Sequence, residues 1–239
     1  MKTSTAEPRT LPDAHLDLGC GKFPRNPYRR SALCGTDIRA ISGSAGFEFR
    51  AANLALEPIP WPDHSFASVS GFDFIEHVPR LLTTADGRAT RFPFVELMDE
   101  IWRVLAPGGC LYAVTPAYPS PESFQDPTHV NIITERTHDY FCGESPLGRI
   151  YGFEGRFIAR RAEWVRLQDS FDARPVDRQA TDARPKPQIR PLHKRFADAV
   201  RQAGRRARGH NLPPSPAAMA ERPVYFLWEL EAVKPRGGL

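Results

Sequence analysis

Cysteine is scarce in this sequence, and the little there is has no pattern. The four residues, Cys20, Cys34, Cys110 and Cys142, contain no C-x-x-C pair. That excludes a disulfide framework and a zinc ribbon, and it fits reduced thiols. No run approaches the roughly 20 apolar residues of a membrane helix. The opening stretch MKTSTAEPRTLPDA lacks the apolar segment of a secretory signal. A cytoplasmic location is therefore expected.

Proline is what the chain has in excess. It supplies 24 of 239 residues, about twice the average usage, so long extended connections are expected. With 41% hydrophobic and 25% charged residues the chain reads as globular, and it is long enough to bury a core without staples. The net charge of +4 is unevenly placed. Between Arg174 and Arg208 there are 11 Lys/Arg against 3 Asp/Glu, a local +8 that leaves −4 elsewhere.

That basic segment reads first as a solvated face. A phosphate-bearing acceptor is the second reading, since Arg forks onto phosphate. Nucleic acid is disfavoured, because Phe196 is the segment's only aromatic. His193–Ala207 has the spacing of a basic amphipathic helix, with an apolar face too thin for a membrane surface.

Residues 1–14 read as a loose tail, and 15–239 as one domain with an insertion at about 172–222. Strands are expected at His15–Leu18, in the run ending at Gly35–Ile38, and at Phe47–Phe49, Phe66–Phe72 and Cys110–Val114. Phe157–Leu167 and Val224–Val233 flank the insertion as a hairpin-like end. The clearest helix is Phe94–Leu105, with Phe94, Met98, Ile101 and Leu105 on one face. Pro93 suits its first turn, Asp99 and Arg103 stand at pairing distance, and Pro107-Gly108-Gly109 stops it. Strands alternating with helices predict an α/β, doubly wound, mostly parallel sheet.

Leu16-Asp17-Leu18-Gly19-Cys20-Gly21 closes the first strand. Two glycines there let backbone approach a ligand closely. Asp37, twenty residues beyond Asp17 at the end of the next strand, suits the hydroxyls of a ribose. A nicotinamide site is disfavoured, because its third glycine would fall at Pro24.

These residues, with Pro60–Phe66, Ile75–Val78 and Arg103–Gly109, fall in the order seen in class I S-adenosylmethionine-dependent methyltransferases. The chain resembles that family over about residues 15–116. With Asp126-Pro-Thr-His129-Val-Asn131 it also resembles the type 11 group found among bacterial cell-surface polysaccharide genes. The resemblance implies a seven-stranded Rossmann-like sheet with an antiparallel C-terminal strand, and S-adenosylmethionine as cofactor. By position it implies that Asp17, Gly19, Cys20 and Gly21 hold the methionine portion. Asp37 would take the ribose, Asn53 and Leu54 the adenine, while Gly71 and Phe72 end the fourth strand beneath the sulfonium. Phe23 and Asn53 depart from the family's usual Gly and Asp, and the first helix is expected to start late, near Pro27.

The expected reaction is O-methylation of a saccharide or other small-molecule acceptor; the alternative is a non-catalytic protein that keeps the fold and cofactor. A hydroxyl acceptor needs a base. His129 is the first candidate, with Asp126 as orienter or second base, and Glu76 beside His77 lies on the same sheet edge. These four include possible metal ligands, but nothing in their spacing fixes a mutual distance, and no metal is expected. Tyr118, Phe124 and Tyr140 are candidate walls of an acceptor pocket.

Overall fold

The computed structural model describes residues 12–41, 46–174 and 223–235. The proposed helix at 193–207 and nearly all of the basic segment lie outside those residues. In chain order the elements are β1 (Ala14–Leu18), β2 (Ala32–Asp37), β3 (Glu48–Ala51), β4 (Phe66–Phe72), β5 (Leu82–Thr83), β6 (Thr90–Arg91), α1 (Pro93–Val104), β7 (Leu105–Pro116), α2 (Glu122–Gln125), β8 (Phe157–Val165) and β9 (Tyr225–Ala232).

Seven strands form one sheet in the order β3-β2-β1-β4-β7-β9-β8. The first five run parallel, and β9 is antiparallel to both β7 and β8. The expected mostly parallel seven-stranded α/β sheet is therefore present. Its strand order reverses between β1 and β4, which is where open sheets of this kind bind ligands. β4 is buried along its whole length, as a central parallel strand must be.

Helical cover is thinner than the alternation implied. On one face α1 packs Phe94, Leu97, Met98, Ile101 and Val104 into the main core. Leu105 is already extended and opens β7, so the helix ends one residue early and the Pro-Gly-Gly run lies inside the strand. Asp99 and Arg103 do not pair. Asp99 instead accepts the backbone N–H groups of Glu154 and Gly155 at 2.8 and 2.9 Å. Arg103 reaches Glu100 and Asp63 at 2.7 and 2.8 Å. The 154–155 backbone, Asp63 and the i,i+3 neighbour Glu100 here replace a surface pair worth only a few tenths of a kcal/mol.

No helix forms near Pro27. Pro24 and Pro27 withhold two backbone donors, and Asn26–Arg29 makes a turn in which Arg29 N–H donates to the Asn26 carbonyl. This connection covers the second face of the sheet together with residues 166–174. Tyr28 meets Tyr112 edge-on at 5.9 Å, Tyr112 Oη donates to the Ser170 carbonyl at 2.9 Å, and Ala173 N–H donates to Pro27 O. Among the described residues no helix is long and apolar enough to cross a membrane.

Candidate functional site

The carboxyl ends of β1, β2 and β4 meet at the reversal point. Asp17 lies opposite Ser70 in the parallel register, and Ser70 Oγ donates to Asp17 Oδ1 at 2.5 Å. Since that hydroxyl has one proton, it must accept from His15 Nε2, 2.8 Å away. His15 Nδ1 then accepts from Ser68 Oγ at 2.8 Å. Alternation along β4 puts Ser68 and Ser70 on one side of the strand, and that signal was readable in the sequence. Burial depresses the His15 pKa to about 3, so the ring is neutral. Burial also pushes the Asp17 carboxyl up to about 7, against the bonds from Ser70 and the Arg25 N–H.

The glycine loop follows directly. Gly19 and Gly21 have φ of +64° and +53°, a region that L side chains rarely enter. A Cβ at Gly19 would come within 2.7 Å of the Phe74 ring, whereas Gly21 has open space beside it. Gly21 N–H donates to Asp37 Oδ2 at 3.1 Å. Asp37 is nearly buried, which raises its pKa, but bonds from Arg39 and Gly21 outweigh burial and hold it below the ordinary carboxylate range. Arg39, missed in the sequence, takes Asp37 Oδ1 with both its backbone N–H and Nε.

The remaining positions expected around a cofactor are placed less uniformly. Cys20 and Leu54 are buried. Asn53 turns its side-chain oxygen to its own loop, accepting from Ala55 N–H at 3.2 Å. Gly71 faces Phe74. Phe72 belongs to the second-face cluster with Tyr112, where the Arg25 guanidinium covers its ring at 4.6 Å. Gly21, open-sided and bonded to Asp37, leaves room for a ligand carrying vicinal hydroxyls.

Beyond β4 the chain makes a short 3-10 turn, Ile75–His77. The Val130 and Asn131 N–H groups both donate to the Glu76 carbonyl, at 3.0 and 2.9 Å. That clamp brings His129 to His77, and their rings meet edge-to-face at 4.8 Å. The Asp126 carboxylate makes no hydrogen bond to the His129 ring, although the Asp126 carbonyl accepts the His129 backbone N–H at 3.1 Å. Its Oδ1 accepts from Thr128 N–H and Oγ, and Thr128 in turn contacts His77 Nδ1 at 3.0 Å. His129 Nδ1 instead faces the Ser123 carbonyl at 3.3 Å. Pro127 separates Asp126 from Thr128 in sequence, and the carboxylate is taken up by the near backbone N–H and hydroxyl of Thr128.

Glu76 is buried and accepts from Thr115 Oγ at 2.8 Å. Burial pushes its pKa up to about 8, and the Thr115 bond only partly offsets this. Of the expected aromatic walls, Tyr118 and Phe124 are exposed and meet each other edge-on at 6.5 Å. Tyr140 lines a separate cavity of about 450 Å³ with Phe92, Tyr151, Arg80 and Arg136.

The chain matches no protein-family model and no curated protein. Solved structures similar to it include a SAM-dependent methyltransferase from Archaeoglobus fulgidus, at 14% identity, covering 91% of this chain and 85% of that one, with a TM-score of 0.45. The [4+2]-cyclase SpnF aligns at 17% identity, over 93% and 75%, with a TM-score of 0.44. A geranyl diphosphate methyltransferase in complex with SAM aligns at 12% identity, over 96% and 81%, with a TM-score of 0.42. A cyclase stands here beside methyltransferases. Scores below 0.5 at these identities leave the activity to be argued from the site itself.

Proposed function

We propose that this chain is an S-adenosylmethionine-dependent methyltransferase that methylates a hydroxyl oxygen of a small-molecule or saccharide acceptor. The observation that carries the reading is the pair Asp17 and Asp37, near the carboxyl ends of adjacent strands beside the glycine loop, where Asp37 holds the Gly21 N–H. In this reading Asp17 meets the cofactor's ammonium and Asp37 its ribose hydroxyls, which displace Arg39.

The cofactor supplies a methyl group already activated on a sulfonium, so the protein has chiefly to align and desolvate. The acceptor oxygen attacks in line, the new C–O bond forms as the C–S bond breaks, and a neutral thioether leaves. The hydroxyl proton passes to an imidazole. Two are available, His129 and His77, each with its Nδ1 held by another group. Glu76 backs them from the buried side. The role given to Asp126 is positioning, through Thr128 and His77. The acceptor class includes phosphate-bearing saccharides, a reading supported by the basic segment between Arg174 and Arg208.

A second reading has its own observation. Arg39 already occupies both oxygens of Asp37, at 3.1 and 3.4 Å, as suits a chain that keeps the fold without turnover. Calorimetric titration separates the two. Saturable binding of both S-adenosylmethionine and S-adenosylhomocysteine is expected, and failure of both at millimolar concentration removes the enzyme reading.

A further inference from the structure

Three groups at the end of β4 bring one ligand atom each within 4.8 Å of one another: Glu76, His77 and His129. Their hydrogen bonds determine where the protons lie. Thr128 Oγ donates its single proton to Asp126 Oδ1 at 2.7 Å, so it accepts from His77 Nδ1–H. The Ser123 carbonyl can only accept, so His129 Nδ1 also carries its proton. Both rings therefore keep a lone pair at Nε2. Glu76 gives Oε2 to Thr115, while its Oε1 is buried without any hydrogen-bond partner. The three side chains stand together, and each has one polar atom engaged elsewhere.

We propose that Glu76, His77 and His129 bind one divalent transition-metal cation of the zinc or manganese class. Two imidazoles and one carboxylate are a donor set for such ions, whereas magnesium and calcium prefer oxygen alone. The outer contacts also fit. Each ligand is fixed through its other polar atom, by Thr128, Ser123 or Thr115, which is how metal-ligating side chains are usually oriented. Ligand atoms on one tetrahedral ion stand roughly 3–3.5 Å apart at bond lengths of about 2.0–2.2 Å. Small side-chain rotations of the two half-buried rings close the present spread. Glu76 fills the buried side, which leaves the outer side for a fourth ligand.

The cation site stands without the cofactor. It rests on the methyltransferase reading only for what the open position receives, an acceptor oxygen whose hydroxyl the ion would acidify. The ion would then take over the task assigned above to imidazole.

The test uses the full chain, stripped with a chelator and dialysed. Zn²⁺ is titrated calorimetrically, and Co²⁺ by its visible absorption bands. One equivalent is expected to bind. His77→Ala and His129→Ala should each weaken binding at least tenfold, and Thr128→Val by roughly 10-fold or more, as for other outer contacts. Glu76→Gln should do the same if it folds; the two histidine variants, checked by circular dichroism, keep the test independent of it. No saturable uptake by the wild type overturns the proposal, as does unchanged uptake by the double histidine variant. S-adenosylhomocysteine titrated into the same proteins separates the two readings. Lost metal binding with retained nucleoside binding belongs to this site alone, and a wild type that binds Co²⁺ but no nucleoside sinks only the methyltransferase reading.

Discussion

Ser70 Oγ donates to Asp17 Oδ1 across two parallel strands, and the same hydroxyl accepts from His15. Ser70→Ala would leave a buried carboxylate oxygen and a buried imidazole N–H unpaired. At roughly 1–3 kcal/mol for each orphaned group, urea denaturation should show a loss of about 2–6 kcal/mol. Unchanged stability would mean that water or a shifted Ser68 replaces the bridge.

Asp17 also gives the molecule a pH dependence. Burial raises its carboxyl from 3.8 to about 7 in the folded chain, so between those values the folded state holds a proton that the unfolded state has released. Its contribution to stability therefore falls as pH rises from about 4 to about 7, by at most roughly 1.4 kcal/mol per pH unit, and is flat beyond. Asp17→Asn should remove that slope in denaturation curves taken across the range. Where binding needs the ionised carboxylate, S-adenosylhomocysteine affinity should climb up to tenfold per unit towards pH 7 and then level off.

Arg39 and Asp37 make opposite predictions for one titration. Asp37→Ala should weaken nucleoside binding by about 1.5–3 kcal/mol, the worth of charge-assisted ribose bonds. Arg39→Ala should leave it equal or tighter, because the competing guanidinium is gone. A weaker Arg39→Ala protein would show instead that the arginine positions Asp37 for the ligand.

His129→Ala should lower turnover roughly 10²- to 10⁴-fold on a hydroxyl acceptor, with nucleoside affinity little changed. Thr128→Val should cost less, and in kcat more than KM, since it only frees His77 from its fixed orientation. Near-normal turnover by folded His129→Ala removes that residue from the chemistry. A fall in thermal stability alone would make it a packing residue.

The sheet was readable because its strands are short apolar runs between turn residues, and Phe66–Phe72 was bounded to the residue. The hydrogen-bond partners were not. Asp99 and Arg103 have the right helical spacing, yet each found partners more than 35 residues away in sequence, which no periodicity encodes. His77 and His129 are separated by 52 positions, and long-range bonds make them neighbours: the Glu76 carbonyl clamps Val130 and Asn131, the Asn131 amide reaches the Ile75 carbonyl, and Thr128 meets His77. The glycine loop announced itself, but the arginine two residues after Asp37 carried no sign that it would fold back.

The place of β9 constrains how this sheet assembles. It follows β8 in the chain but lies between β7 and β8. β8 has no strand to pair with until residues 225–232 arrive, so both β7 and β8 wait for β9 to join them. Until then β7, paired with β4 on one side, has an open edge along Leu111 and Ala113 on the other. An unpaired central edge of that kind recruits foreign strands. Val165 and Tyr225 finish side by side, so the intervening stretch can lengthen at little cost, about 0.6 kcal/mol per doubling. Growth in that connection is thus nearly free thermodynamically, and its burden is kinetic: each added residue delays the strand that completes the sheet.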